Sequence, residues 1–188
     1  MISGIQQIGV GVRNIYEAWK WYISNFGMDI RMFEERASAE YMLPYTGGEP
    51  RERHAALAIN MLGGGGFEIW QHTERTPLAP AFELQVGDLG IYAGKIKSPD
   101  VQAAYEHLED TSEIITQIIQ DPAGRDHFFV KDPFNNIWQI VSEESIFLRM
   151  GKRSTGGSYG AVIGTSNPER AVKLYSGILG YDAVVYDK

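Results

Sequence analysis

The chain has 188 residues, with 24 Asp or Glu against 17 Lys or Arg and a formal net charge of −7, so it lacks the basic footprint of a nucleic-acid binder. Hydrophobic residues at 44% and aromatics at 12% suffice for a buried core, which excludes an intrinsically disordered chain. Cysteine is absent, which removes disulfide scaffolds, zinc–thiolate sites, iron–sulfur clusters and cysteine nucleophiles, and leaves oxygen or imidazole ligands for any metal. The N-terminus carries Ser3, Gln6 and Gln7 without a basic start or apolar h-region. The longest uncharged apolar stretch, Ala55 to Phe67, is too short to span a bilayer. A soluble, cytoplasmic chain with no membrane partner is expected.

Ile8, Val10 and Val12 alternate with Gln7, Gly9 and Gly11, the period of a strand with one apolar face. Asn14 is a helix N-cap residue, and Ile15, Ala18, Trp19, Tyr22, Ile23 and Phe26 follow at helical spacing until Gly27 ends the helix. Strands are expected near Asp29 to Glu35, His54 to Met61 and Phe67 to Gln71, with Gly63 to Gly66 as a turn. No Lys-Ser/Thr follows these glycines, so they are no phosphate loop. A further strand at Leu89 to Lys97 leads into a helix with Ser98 as N-cap, Pro99 at its first position and Val101, Ala104, Tyr105 and Leu108 as its stripe. Ile114 to Gln120, His127 to Lys131 and Ile137 to Ser142 read as strands, the last two joined by a turn containing Asp132, Pro133, Asn135 and Asn136. The unit is βαβββ, used twice.

A third copy starts near Gly156. At an offset of 153 residues the chain pairs Gly4 with Gly157, Gly11 with Gly164, Asn14 with Asn167, Ala18 with Ala171 and Tyr22 with Tyr175, and Gly27/Gly180 and Asp29/Asp182 continue the series. A helix around Pro168 to Leu179 and a strand at Ala183 to Tyr186 follow, where the sequence stops. The expected fold is α+β, with paired βαβββ modules and an incomplete third. The domain layout is 1–148 (modules about 1–75 and 86–145), a linker at 149–157 and the start of a second domain at 158–188. Two readings of the unfinished module are open: a second domain cut short, or two chains completing each other's half-modules. The unfinished module by itself leaves a strand edge and a helix face exposed, so self-association into a homo-oligomer such as a dimer, or disorder of that segment, is expected.

The paired modules, the strand ending Gly9-Val10-Gly11-Val12, the helix holding Trp21-Tyr22 and closing Phe26-Gly27-Met28, and the hairpin opening Asp132-Pro133 together resemble the vicinal oxygen chelate superfamily. That group includes glyoxalase I, bleomycin-resistance proteins, extradiol dioxygenases and methylmalonyl-CoA epimerase. The resemblance implies a half-open barrel with helices outside, a small-molecule cavity inside, and metal ligands on the first and last strand of each module. It places Gln7 and Glu68 at ligand positions of the first module, and Ile91 and Gln139 at those of the second. One carboxylate, two amides and an alkyl group suit neither hard nor transition divalent ions.

On this basis the metal candidates are Gln7, Glu68 and Gln139, with Zn, Ni, Mn or Fe as the cofactor if one is held. Glu68 is also the candidate base for proton abstraction next to a carbonyl. The alternatives are a carboxylate bound to barrel amides or to an Arg such as Arg125, and a Gln7 to Gln139 hydrogen bond left from a lost metal site. Alternation turns Glu68, Trp70 and His72 to the cavity, making Trp70 a stacking wall or core residue and His72 an acid/base, a ligand or a solvated strand end. His127 has an undecided register. The functional readings are a metal-dependent lyase or isomerase acting next to a carbonyl, a metal-free binding protein of the bleomycin-resistance type, or a non-catalytic half of a tandem protein.

Overall fold

The computed structural model describes residues 4–148 and 153–187. Strands β1 (Gln7–Gly11), β2 (Ile30–Ser38), β3 (Glu52–Asn60) and β4 (Gly65–His72) form one sheet in the order β1-β4-β3-β2, with β1 and β4 parallel. We call this sheet A. Helix α1 (Ile15–Phe26) crosses between β1 and β2. The second unit repeats the plan with β5 (Gly90–Ser98), α2 (Val101–Leu108), β6 (Glu113–Ile114), β7 (Ile119–Gln120), β8 (Asp126–Lys131) and β9 (Ile137–Ser142), β5 and β9 being parallel. The first strand of the third copy, β10 (Ser158–Gly164), adds antiparallel to the outer edge of β5, giving sheet B the order β10-β5-β9-β8-β6. The architecture is α+β, two sheets that do not close into a barrel, among the described residues.

Each sheet buries one face. Phe67 and Ile69 of sheet A and Phe128, Val130, Trp138 and Ile140 of sheet B join the helix stripes Ile15, Ala18, Tyr22 and Phe26 and Val101, Ala104 and Leu108 in one continuous core. Phe67 stacks on Trp138 at 4.5 Å between ring centroids, so the sheets meet through aromatic rings on the helix side. Asp132 locks that seam. It is buried, accepts from the Tyr22 hydroxyl at 2.7 Å and the Trp138 indole N–H at 2.9 Å, and takes the amides of Phe134 and Asn136 at its other oxygen. Burial, then the carboxylate of Asp132, push the Tyr22 hydroxyl well above the ordinary tyrosine range.

The third copy repeats local geometry as well as sequence. Asn14 Oδ1 caps the amides of Tyr16 and Glu17, and Asn167 Oδ1 caps Arg170; Met28 N donates to Tyr22 O at 3.2 Å, and Tyr181 N donates to Tyr175 O at 2.9 Å. Gly27 and Gly180 both hold the left-handed conformation that ends a helix. Burial differs: Tyr22 is fully buried, whereas Tyr175 is 37% exposed. Here α3 (Pro168–Val172) continues as a π-helical turn through Lys173–Ile178.

Four expectations change in detail. The cap of α2 is Asp100, whose side chain accepts from Ala103 N, while Ser98 Oγ accepts from Asp100 N one turn earlier. The single strand expected over Ile114 to Gln120 is broken into β6 and β7, because Thr116 Oγ1 accepts the amide of Phe129 at 2.9 Å in place of a ladder bond. Ala183 to Tyr186 is not a strand, having no neighbouring strand to pair with among the described residues. Of the segment expected as a linker, 149–152 lies outside the described residues and 153–157 is packed down. The Lys97 amide donates to Gly157 O at 3.0 Å, Gly156 N donates to Lys97 O at 2.8 Å, and Thr155 is buried. A Cβ on Gly63 would stand 1.1 Å from Gly156 O, so a side chain there would force the chain off this crossing.

Candidate functional site

Strand alternation places Gln7 on β1 and Glu68, Trp70 and His72 on β4 away from the helices, since Phe67 and Ile69 between them are fully buried on the helix side. Parallel pairing sets Gly9 beside Glu68 and Gln7 beside Gly66, which brings the Gln7 and Glu68 side chains together. Gln7 Nε2 donates to Glu68 Oε2 at 2.7 Å. Farther along, the Arg53 guanidinium lies over the Trp70 ring at 4.7 Å and is itself bridged to Glu35. His72 stands 6.1 Å from Trp70 between ring centroids, and Trp70 Nε1 and His72 Nδ1 are buried without partners among the described residues.

Gln139 is held elsewhere. It sits on β9 beside Phe129 of β8 and Lys95 of β5, on the open side of sheet B, where the same alternation settles His127 as a buried, inward residue. No Gln7 to Gln139 bond forms among the described residues: Gln139 Oε1 and His127 Nδ1 are both buried and unpartnered. Arg125 does not reach Glu68 either. Its Nε and Nη2 hold Asp121 Oδ2 at 2.9 and 2.8 Å, while Asp121 Oδ1 takes the amides of Ala123 and Arg125. These bonds outweigh burial and keep the Asp121 carboxyl below the usual aspartate range.

Two cavities meet at Lys95. One of about 800 Å³ lies between β1, β5, β10 and the segment after α3, with Gln7, Ile8, Ile91, Lys95, Arg125 and Tyr159 on its wall. The other, about 430 Å³, is walled by Lys95, Asp121, His127, Phe129 and Gln139. Burial pushes the Lys95 ammonium below the ordinary lysine range, the nearby Arg125 adds to the shift, and Asp121 opposes it. Lys95 has no salt bridge or hydrogen bond to its ammonium among the described residues. Burial and then Glu143 raise the Tyr159 hydroxyl, so it stays protonated as a donor.

A model of the Glyoxalase/Bleomycin resistance protein/Dioxygenase superfamily matches residues 4–140. The chain belongs to that superfamily. A glyoxalase family protein from Bacillus cereus superposes with a TM-score of 0.60 at 14% identity, over 76% of this chain and 95% of the other. A protein described as a putative dioxygenase from Bacillus subtilis gives 0.61 at 18% identity, and glyoxalase I from Zea mays 0.57 at 14%; each match covers 94% of this chain and 55% of the longer partner. This chain therefore spans about half the length of those two proteins. Identities this low establish a shared fold. No curated protein matches the chain in sequence.

The superfamily's divalent ion can now be tested against the donors present. Among the described residues no group of three His, Cys, Asp or Glu converges on one point. Of the expected set, Glu68 is the single carboxylate and already accepts from Gln7, Ile91 has no donor atom, and Gln139 lies in the cavity it shares with the Lys95 ammonium. A cation standing between Gln7 and Gln139 opposes a second cation there. The residues do not fit a divalent ion. Sequence reading missed Lys95 and Tyr159, although the signal was available: with Ile96 aligned on Val12, Lys95 falls on the open face with Ile91. Among the described residues no helix is long and apolar enough to cross a membrane.

Proposed function

We propose that this superfamily member binds a small molecule in the open-side cavity without a metal ion. The observation that carries this reading is the position of Lys95, an ammonium on the wall of both cavities, one shared with Gln7 and the other with Gln139. A cavity of about 800 Å³ lined by isoleucine and tyrosine side chains has the size and apolar character of a small-molecule site. Trp70 and His72 line neither cavity and stand beside Arg53 on sheet A. The lyase or isomerase reading asks Glu68 to act as base beside an ion-polarised carbonyl, and the donor set speaks against that ion.

The test is elemental analysis of purified protein after incubation with Zn, Ni, Mn and Fe, with Glu68→Gln as control. No metal near one per chain is expected. A near-stoichiometric metal in the wild type that disappears in Glu68→Gln would overturn the reading and restore a Glu68-centred lyase or isomerase. We also propose a homo-oligomer that covers the stripe Val172, Leu174 and Ile178, all exposed in the single chain. Light scattering at the mass of one chain, with that segment protected from hydrogen exchange, would refute it.

A further inference from the structure

We propose that the cavity between β1, β5 and β10 selects an otherwise apolar small molecule that carries a carboxylate or phosphate, the oxyanion docking on the Lys95 ammonium. This inference rests on the binding reading above and names the class of ligand. Three independent observations converge on it. The first is charge. The protein is acidic overall, yet the positive groups Lys95 and Arg125 stand together on one cavity wall. The nearest carboxylate, Asp121, is fully used by one guanidinium and two amides, which leaves Lys95 without a counter-ion among the described residues.

The second is unmet hydrogen bonding. Lys95 is half-buried, and an ammonium there without an acid partner gains from an anion that completes it. Beside it, His127 Nδ1, on a residue that is 6% exposed, lines the adjoining cavity with no partner among the described residues and donates as the Nδ1–H tautomer. The Tyr159 hydroxyl shares the wall with Lys95 but gives its one proton to Glu143, so the oxyanion depends on Lys95. The third is the rest of the lining. Ile5, Ile8, Ile91, Ile163, Leu179 and Val185 make the remaining surface apolar, so a ligand there gains by having one charged end and a greasy body. Glu68 is not part of this wall, and its bond with Gln7 keeps its carboxylate engaged on sheet A.

The experiment is isothermal titration of the whole chain with sodium octanoate, octyl phosphate and the neutral octanamide, in the wild type, Lys95→Met and Lys95→Arg. At least one anion should bind about tenfold or more tighter than octanamide, the worth of one charge-assisted hydrogen bond. Lys95→Met should erase that preference and Lys95→Arg should keep it, with matching circular dichroism and unfolding midpoints showing that all three chains fold. Which anion binds tighter assigns the ligand to carboxylates or to phosphates. Equal binding of octanamide and both anions would overturn the inference and leave the binding reading in place. A preference that survives Lys95→Met would also overturn it, and failure of all three probes to bind at millimolar concentration would remove both.

Discussion

On sheet A the charged side chains facing away from the helices are answered by neighbouring strands: Glu68 accepts from Gln7, and Arg53 covers Trp70 while bridging Glu35. On sheet B the corresponding side holds Lys95 with no counter-ion and Gln139 and His127 with unpartnered buried atoms among the described residues. The two sheets share a topology and a core. Both leave buried polar atoms without partners among the described residues, Trp70 Nε1 and His72 Nδ1 on sheet A as well, so what separates them is whether the charged groups on the open face are paired from within the chain. The difference teaches where to look for a ligand, because a half-buried charge without an internal counter-ion gains from one supplied from outside.

Stability measurements can break or sharpen this contrast. The largest effect is expected at the seam both sheets share: Asp132→Ala strands the Tyr22 hydroxyl and the Trp138 indole N–H and should cost about 3–4 kcal/mol in urea unfolding. Loss in one cooperative transition would show that the two open faces sit on a common core, and two transitions would mean the sheets must be compared as separate units. Next, Glu68→Leu should cost about 1 kcal/mol by leaving Gln7 unpaired, whereas Gln139→Leu should cost nothing or stabilise slightly, since it removes an oxygen without a partner. Equal losses from the two would end the distinction.

The smallest effect is in pH. Asp121 has a folded-state pKa below the ordinary value, so its stabilising contribution is complete above the unfolded carboxylate's pKa and is lost as pH falls through the folded one. Wild-type stability should therefore fall more steeply than that of Asp121→Asn as pH drops below the unfolded aspartate's pKa of about 4. Identical acid profiles would mean that Arg125 does not anchor this carboxylate in solution.

Much of this arrangement is legible in the residues. The Asn14/Asn167 and Gly27/Gly180 pairs encode helix starts and stops that depend only on neighbouring backbone, and both copies keep the cap to the third residue on and the left-handed glycine. Alternation around Phe67 and Ile69 likewise puts Glu68, Trp70 and His72 on the open face. Other features depend on register between distant strands, which no local pattern carries. Gln139 was aligned as a partner for Gln7, but its neighbours are set by the β5–β9 and β8–β9 pairings, which give it Lys95 and Phe129 instead. The split at Thr116 was hidden for a similar reason, because the hydroxyl bonds an amide thirteen residues away on β8.

The pairing of β10 with β5 has a consequence for how the protein is made. β5 lies in the interior of sheet B, with β9 on one side and β10 on the other, yet α2 and β6 to β9 separate it from β10 in the chain. During synthesis the outer edge of β5 therefore waits, unpaired, until residues 158–164 leave the ribosome, by which time α1, α2 and sheet A can already have assembled. The slow, late step in completing sheet B should be the zipping of β10 onto that edge over the Gly63–Gly156 crossing, and a substitution that hinders the crossing should act first on the rate of that step.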